Sequence, residues 1–332
     1  MPIVRELDLS GRQLTSLPVS LDDHADLEVL RLDDNALSMV PASVGKLTRL
    51  VEVHLRRNLL PELPAAFWHL PNVETLSLGE NPGLTIPDEI ANLSSLRRLY
   101  IHDNELNAVP DALGSLAGLE VLDLGHNRLA SVPASLGDLG RLEVLYLSDN
   151  RLTALPDELR ALCSLTYLGL TDNRFEALPE WIGKLTELVE LRLYNNALSG
   201  LPGSIGRLGK LRELHAMNNR LESLPGSIGG LANLRELDLM SNSLESLPGS
   251  IGGLRRLTRF SLRNNRLQSV PDAIGGLEGL RHLDLRANRL RSLPDSVADL
   301  PELEKLDLRW NPLTVLPDWI GRIRERGCIV LT

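Results

Sequence analysis

The chain has 332 residues, a formal net charge of −9 and a pI of about 5.4. This acidic balance disfavours a general binder of nucleic acids or of anionic membrane surfaces. No apolar run approaches the roughly 20 residues that a membrane-spanning helix needs. Cys163 and Cys328 are the only cysteines, and we expect both to be free thiols in a reducing compartment.

One pattern recurs through almost the whole chain with a period of 23 residues. Residues 119–139 read LEVLDLGHNRLASVPASLGDL, and the leucines, the asparagine and the proline of this stretch return 23 residues earlier and later. The first leucine-type position falls at residues 27, 50, 73, 96, 119, 142, 165, 188, 211, 234, 257, 280 and 303. An unbroken period of this length is typical of a solenoid, so we expect a single domain over residues 1–332.

The predicted elements follow in chain order. Residues 1–26 hold a divergent first repeat whose apolar positions begin at Val4, and polar residues around His24 predict an N-terminal cap. The N-terminus enters this repeat at once, so we expect no signal peptide. Residues 27–325 form thirteen full repeats, and residues 326–332 begin a last, partial strand with an open edge.

Each repeat divides into a strand, a turn and a short helical segment. Alternation of apolar and polar residues around Leu122 and Leu124 predicts a strand with one buried face. Asn127 follows at the turn, where its amide can satisfy backbone groups of neighbouring repeats. Pro133 prevents a helix from running through that point, and the residues after it permit one or two turns of helix.

The pattern L-x-x-L-x-L-x-x-N-x-L resembles the leucine-rich repeat. With L-P-x-x-I-G-x-L in its second half, it is similar to the 23-residue subclass of plant intracellular Ras-group-related proteins, the animal Ras–Raf scaffold, Roco GTPases and many bacterial proteins. The resemblance implies an α/β leucine-rich-repeat solenoid, a horseshoe with a concave parallel β-sheet of about fifteen strands and short helices or 3-10 turns on the convex face. It also implies a small GTPase or another signalling protein as a partner.

The variable positions on the predicted sheet carry the functional signal. All four tyrosines fall there, although aromatic residues make up only 3% of the chain. Tyrosine is enriched at binding hot spots, but it also favours strands in general. We therefore predict a partner-binding surface made of Tyr100, His102, Asp103, Asp123, His126, Tyr146, Asp149, Tyr167, Asp172, Arg192 and Tyr194.

A second, basic patch lies nearer the C-terminus and could dock an acidic segment or phosphate groups. Asp284 and Asp307 partly neutralise it. Its predicted members are Arg259, Arg263, His282, Arg286, Arg309 and Trp310.

An enzyme or a metal site is the less favoured alternative. His102 and His126 lie near Asp103, Asp123 and Asp149, and two imidazoles with carboxylates could ligate Zn²⁺. Such ligands would lie on an open sheet without an enclosing pocket, so we expect no metal, no cofactor and no catalysis.

The sequence therefore predicts a non-enzymatic, cytoplasmic protein-binding scaffold, a monomer or a weak dimer through its C-terminal edge. Its partner is expected to be a protein and not a nucleic acid or a membrane. A secreted bacterial effector that binds a host protein remains the alternative, and the excess of arginine over lysine is a weak bacterial signal.

Overall fold

The computed structural model describes residues 5–18 and 20–332, apart from the side chain of Asp23. Val4, the first predicted apolar position of the cap, lies outside the described residues. Contacts divide the chain into two compact units, residues 1–165 and residues 166–332. Each unit repeats the predicted strand, turn and short helical segment. That the whole chain is a single domain stays a prediction.

The first unit contains seven described strands of three residues each. They are β1 Glu6–Asp8, β2 Val29–Arg31, β3 Glu52–His54, β4 Thr75–Ser77, β5 Arg98–Tyr100, β6 Val121–Asp123 and β7 Val144–Tyr146. Its 3-10 segments are Leu21–Asp23, Ala42–Lys46, Ala65–His69, Asp88–Asn92, Asp111–Ser115, Ala134–Asp138 and Asp157–Ala161.

The second unit contains eight described strands, and the one α-helix of the described residues precedes its last strand. The strands are β8 Tyr167–Gly169, β9 Glu190–Arg192, β10 Glu213–His215, β11 Glu236–Asp238, β12 Arg259–Ser261, β13 His282–Asp284, β14 Lys305–Asp307 and β15 Ile329–Leu331. The 3-10 segments are Glu180–Lys184, Gly203–Arg207, Gly226–Gly230, Gly249–Gly253, Asp272–Gly276 and Asp295–Asp299, and the helix α1 is Trp319–Glu325.

Consecutive strands within each unit pair in parallel and in the register of the sequence repeat. Leu122 of β6 lies opposite Leu99 of β5 and Leu145 of β7. In the second unit, Leu214 of β10 lies opposite Leu191 of β9 in the same way. A residue therefore has its equivalents from neighbouring repeats beside it, about 4.8 Å away. The predicted solenoid, with a parallel sheet and short 3-10 turns, is confirmed in each unit.

The core consists of stacked aliphatic side chains between the strands and the 3-10 segments. Most of the repeated leucines are fully buried, as Leu122 and Leu136 show. Three tryptophans, Trp68, Trp181 and Trp319, also pack into the core and are 2%, 9% and 2% exposed. Uniform leucine stacking explains how a chain with so few aromatic residues fills its interior.

The asparagine that recurs in each full repeat ties its own turn to that of the preceding repeat. The Asn150 side-chain amide donates to the carbonyl oxygens of Leu124, Leu147 and Ser148 at 3.0, 3.2 and 3.2 Å. Its Oδ1 accepts the backbone N–H of Leu129 at 2.9 Å. Asn150 is 7% exposed, so water does not satisfy these backbone groups. The predicted structural role of this asparagine is confirmed.

Close stacking of the 3-10 segments explains the glycine after the buried isoleucine. A β-carbon at Gly206 would lie 2.1 Å from the carbonyl oxygen of Ser227 in the next repeat. A β-carbon at Gly230 would lie 2.5 Å from the carbonyl oxygen of Gly206. No side chain fits at either position without moving the backbone of a neighbouring repeat.

One turn interrupts the regular pattern, at Asn81-Pro82-Gly83. Gly83 adopts a left-handed conformation with φ of 87°, and the next 3-10 segment, Asp88–Asn92, is back in phase. The backbone N–H of Asn81 donates to Asn104 Oδ1 at 2.6 Å. Asn104 is 1% exposed and its Nδ2 has no partner among the described residues. We call the row of hydrogen-bonded asparagine side chains the amide ladder. The irregular turn thus interrupts this ladder at Asn104.

The N-terminal cap is tied to the following repeat by ion pairs. Asp22 contacts Lys46 at 2.7 Å, and Asp26 contacts Arg49 at 2.8 Å. These acidic residues give the first repeat the polar outer face that is expected of a terminal repeat. None of the described helices is both long and apolar enough to cross a membrane.

Replacing Asn150 by alanine is expected to lower the free energy of unfolding by about 2 kcal/mol or more. The reason is that each buried backbone group left without a hydrogen-bond partner costs about 1–3 kcal/mol. Urea denaturation followed by circular dichroism measures the change. Asn107, an exposed asparagine outside the ladder, provides the control Asn107→Ala. Equal stability of the two variants would contradict a structural role for the ladder.

Candidate functional site

The outward residues of each strand, together with the second and third residues after it, form the sheet face. The central strand residue is buried and its two neighbours point outward, so cross-strand register arranges the outward residues in columns. The sequence-predicted surface residues fall into two groups, one in each compact unit. We define the first group as Tyr100, His102, Asp103, Asp123, His126, Tyr146 and Asp149, and the second group as Tyr167, Asp172, Arg192 and Tyr194.

The first group is centred on one column of β5, β6 and β7. Asp123 lies directly opposite Tyr100 on one side and Tyr146 on the other. Both tyrosines are partly exposed, so their rings flank the carboxylate at the sheet surface. An acidic group between two aromatic rings provides both apolar area and a hydrogen-bond acceptor for a partner.

Burial between its neighbours raises the pKa of Asp123 above its usual value. The backbone N–H of Gly125, which donates to Asp123 Oδ1 at 2.9 Å, and the charges of His102 and His126 oppose this effect. Desolvation nevertheless dominates. The carboxylate therefore gains from a partner that supplies a donor or a positive charge.

The His102 ring occupies space that is free because residue 79 is a glycine. A β-carbon at Gly79 would lie 2.5 Å from His102 Nε2, so the missing side chain makes room for the ring. His102 Nδ1 lies 2.9 Å from Asp103 Oδ2, and the histidine side chain is 19% exposed. Gly79, which the sequence analysis did not select, therefore positions a predicted binding residue.

His126 pairs with the acidic residue of the next repeat. Its Nδ1 lies 2.8 Å from Asp149 Oδ2. Desolvation acts to lower the pKa of His126, but the hydrogen bond to Asp149 and the charges of Asp103, Asp149 and Asp123 outweigh it and raise that pKa. The two histidines thus have separate carboxylate partners.

The residue just before each ladder asparagine has a left-handed backbone. Asp103, His126 and Asp149 have φ of 56°, 52° and 50°. Aspartate tolerates this conformation better than most residues, because its short polar side chain bonds locally. The backbone therefore projects these three side chains at the rim of the sheet face.

The second group contains a cation–aromatic contact on β8 and β9. The guanidinium carbon of Arg192 lies 5.8 Å from the centre of the Tyr167 ring, and Arg192 Nε also donates to Glu190. Tyr167, Arg192 and Tyr194 are all partly exposed. These contacts hold Arg192 at the surface with its ring partner.

A chain of side-chain amides extends from Asp172. Asn195 Nδ2 donates to Asp172 Oδ1 at 2.7 Å, and Asn218 Nδ2 donates to Asn195 Oδ1 at 2.8 Å. The left-handed position of three consecutive repeats is thereby ordered in advance of any partner. That the two groups act as one surface stays a prediction.

One trio of side chains could hold a metal ion among the described residues. The ligand atoms of Glu190, Glu213 and His215 all lie within 4.8 Å of one another, because strand register places Glu190 opposite Glu213. Each carboxylate already has a cationic or imidazole partner, Arg192 for Glu190 and His215 for Glu213 at 3.1 Å. The sequence suggested a different metal site, around His102 and His126. Within the described part of the chain, those residues form no such group of three converging ligands.

The predicted basic patch is built on two carboxylates. Arg309 binds both oxygens of Asp307, at 2.9 and 2.7 Å. Arg286 donates to Asp284 Oδ1 at 2.9 Å and also reaches Asp307 at 3.4 Å. His282 lies 3.5 Å from Glu304, and Arg259 lies 3.9 Å from Glu236. Glu236 and Glu304 thus neutralise part of the positive charge of the patch, in addition to Asp284 and Asp307.

Asp307 is the anchor of this network, with a side chain only 3% exposed. Desolvation acts to raise its pKa, but hydrogen bonds from Arg309 and the charges of Arg286 and Arg309 lower it overall. The bidentate geometry explains why pairing exceeds desolvation here. Asp307 therefore stays ionised under the two arginines.

Trp310 is the largest exposed apolar side chain of the patch, at 64% exposure. Its ring centre lies 5.4 Å from the guanidinium carbon of Arg309 and 5.9 Å from that of Arg263. Other large apolar residues exposed in this unit are Val315, Leu316 and Ile329. The sequence identified Trp310 as a candidate, but not its contact with Arg263 two repeats earlier.

Models of leucine-rich repeats match most of the sequence. A leucine-rich-repeat region matches residues 156–259, a leucine-rich repeat matches residues 25–82, 84–129 and 255–313, and a two-copy model matches residues 117–161. A leucine-rich-repeat protein of Leptospira interrogans is 32% identical, with a TM-score of 0.79 over 99% of this chain and 96% of that one. The chain belongs to the leucine-rich-repeat family.

Other solved leucine-rich-repeat structures are more distant. The internalin InlF of Listeria monocytogenes is 22% identical, with a TM-score of 0.77 over 91% of this chain and 86% of that one, and shows the fold alone. The plant peptide hormone receptor RGFR1, solved in complex with RGF2, is 26% identical, with a TM-score of 0.50 over 98% of this chain and 72% of that one. No curated protein matches the sequence.

The pairing of His126 with Asp149 can be tested by titration. In this leucine-rich-repeat protein, the imidazole is expected to titrate above the usual histidine pKa, and Asp149→Asn is expected to lower that pKa. Two-dimensional NMR of the imidazole signals measures both values, and Asp138→Asn removes an equivalent exposed charge as a control. An unchanged pKa in Asp149→Asn would exclude the pair.

The Asp307 network predicts a component of acid sensitivity. Its lowered pKa stabilises the fold at pH values above the unfolded pKa, about 3.9, and this contribution is lost as pH falls through the lower, folded pKa. Thermal melts from pH 6 to pH 2 should show a smaller loss of stability in Asp307→Asn than in wild type. Asp295→Asn, an exposed neighbour, should follow wild type; parallel curves for all three would refute the assignment.

Proposed function

We propose that this leucine-rich-repeat protein is a non-enzymatic scaffold that binds a partner protein on its sheet face. The column Tyr100, Asp123 and Tyr146 is the observation that carries the proposal. Two partly exposed aromatic rings on either side of a desolvated carboxylate provide apolar contact and a polar anchor together. His126 and Asp149 provide a charged rim beside this column.

Rigidity supports binding by this surface. Each strand of the column is paired in register with its neighbours, and the turn after it is fixed by buried asparagines such as Asn127 and Asn150. A preformed surface loses little conformational entropy on binding. The side chains therefore meet a partner close to their final positions.

The arrangement of titratable groups favours binding over catalysis. His102 pairs with Asp103, and His126 pairs with Asp149, so each imidazole has its own carboxylate. Catalysis needs such groups to converge on one reacting atom in a site that excludes water. Binding needs only that they match the charges and donors of a partner.

Relatives support a protein partner. Leucine-rich-repeat proteins generally act as protein-binding scaffolds, and RGFR1 is a peptide hormone receptor solved with RGF2 bound. We propose a cytoplasmic signalling role with a small GTPase or a related protein as partner, on the strength of the 23-residue repeat pattern. A secreted bacterial effector that binds a host protein is the alternative, and the similarity to the Leptospira protein supports only the bacterial part of it.

Two double variants test the proposal and separate the two groups. Tyr100→Ala with Tyr146→Ala removes the rings of the first group, and Tyr167→Ala with Tyr194→Ala removes those of the second. A protein captured from cytosol by wild type is purified and its affinity for each variant is measured by calorimetry. Loss of about tenfold or more in at least one variant is expected, because hot-spot aromatic residues contribute on this scale.

The control is Met39→Ala with Leu59→Ala, which removes two apolar side chains that are 62% and 58% exposed and lie outside both groups. This control should bind like wild type and melt at a similar temperature. A partner bound equally by all the variants would refute binding through the tyrosines. A partner captured only from a host cell extract would favour the effector alternative over cytoplasmic signalling.

A further inference from the structure

The end of the second unit carries a surface with a distinct chemistry. We define the cationic surface as Arg259, Arg263, Arg286, Lys305, Arg309 and Trp310, on β12, β13 and β14 and the residues that follow them. The chain as a whole is acidic, with a net charge of −9. A local concentration of cationic side chains therefore requires its own explanation.

The acid at the centre of this surface is covered by its arginine. The carboxylate of Asp307 is 3% exposed, whereas the Arg309 side chain that binds it is 38% exposed. Arg286 and Asp284 are 23% and 24% exposed, so that pair presents both charges to solvent. At Asp307 a partner therefore meets the Arg309 guanidinium group and not the carboxylate, although the pair is formally balanced.

Arg263 adds a positive charge that no acid balances. Among the described residues it forms no ion pair, and its side-chain contact is with the Trp310 ring, 5.9 Å from the guanidinium carbon. Lys305 is exposed on β14, two strands away from β12, and also forms no ion pair among the described residues. The surface thus has unneutralised charge available to a partner.

Trp310 occupies a backbone position that disfavours it. It stands at the left-handed position of its repeat, with φ of 63°, where a bulky side chain is strained. Equivalent positions in the same unit hold Asp172, Asn195, Asn218, Ser241, Asn264 and Ala287. The exposed indole therefore costs stability twice, through backbone strain and through apolar exposure, which points to a binding role.

The indole is also held in place without a partner. Ala287 occupies the equivalent position in the repeat between Arg263 and Trp310, and its single methyl group leaves space for the ring to extend toward Arg263. Arg309 contacts the same ring at 5.4 Å. The apolar ring thus lies between two guanidinium groups.

We propose that the cationic surface binds an acidic peptide segment that contains an apolar side chain. The guanidinium groups of Arg263 and Arg309 receive the carboxylates, and the Trp310 indole receives the apolar side chain. Spacing supports this assignment, because the ring centre lies 5.9 Å from one guanidinium carbon and 5.4 Å from the other. An extended segment with acidic residues two positions before and two positions after an apolar residue presents all three side chains on one face. Inorganic phosphate offers only charge and leaves the indole exposed.

This inference rests on the proposed protein-binding role, but it concerns a different surface from the tyrosines and its test needs no cellular partner. The probe is a synthetic pentapeptide with glutamate at both ends, leucine in the middle and serine between them, acetylated and amidated so that it has no terminal charges. The matched peptide replaces each glutamate by glutamine. Isothermal titration calorimetry measures both affinities, with inorganic phosphate as a third titrant.

Trp310 reports where the peptide binds. The other three tryptophans, Trp68, Trp181 and Trp319, are 2%, 9% and 2% exposed, so acrylamide quenching of the intrinsic fluorescence comes mainly from Trp310. The glutamate peptide is expected to bind and to reduce this quenching. The affinity of the glutamine peptide should be lower by about tenfold or more, since charge-assisted hydrogen bonds are lost.

Trp310→Asn and Arg263→Gln are expected to weaken binding of the glutamate peptide by about tenfold or more. Trp310→Asn places in the strained position the residue found at Asn195, Asn218 and Asn264, so it should melt at or above the wild-type temperature. This result separates loss of binding from loss of folding. Arg266→Gln, an exposed arginine of the same repeat as Arg263, should bind like wild type.

Three results would overturn the inference. They are no binding of the glutamate peptide, equal binding by both peptides, and undiminished binding by Trp310→Asn or Arg263→Gln. Phosphate that competes fully and binds as tightly as the peptide would also overturn it, since the indole would then add nothing. Any of these results leaves the tyrosine surfaces and their partner untouched.

Discussion

The whole architecture depends on the buried asparagine amide at the end of each strand. A chain that turns after only three strand residues leaves backbone carbonyl and N–H groups inside the protein, and burial without partners is costly. Asn150 satisfies three carbonyl groups and one N–H group at once, across neighbouring repeats. Asn104 shows the converse, because the Pro82-Gly83 turn leaves its Nδ2 without a partner in the described structure. The leucine core needs this polar frame to stay in register.

This frame separates the residues that build the fold from those that contact a partner. Leucine, asparagine, proline and the tightly packed glycine are required by packing, as Gly206 illustrates. The outward positions are held at fixed spacing but are not required to have a given chemistry. The backbone geometry is therefore the same at the aromatic and acidic column of Tyr100, Asp123 and Tyr146 and at the arginine pair Arg286 and Arg309. The two sets differ only in the side-chain chemistry that they offer to a partner.

The sequence predicted the repeat, its strands and its amide ladder, because periodicity reports directly on a face that is buried in every copy. Candidates within strands, such as Tyr100 and Asp123, lie in the register that the repeat predicts. That the candidate residues bind a partner stays a prediction. The sequence could not show which side chains contact each other, since this depends on rotamers and on neighbours in adjacent repeats. The niche at Gly79 that receives His102, and the reach of Trp310 to Arg263, follow from small residues at Gly79 and Ala287 whose effect appears only in three dimensions.

The left-handed residue before each asparagine has a consequence for how such a surface changes over time. Arginine, glutamate, histidine, serine and tryptophan, as at Arg57, Glu80, His126, Ser241 and Trp310, all occupy this position with nearly the same backbone. A single codon change there alters charge, size or polarity at the rim and leaves core and register intact. Recognition can therefore diverge one repeat at a time, and a new specificity can be selected without passing through an unfolded intermediate sequence.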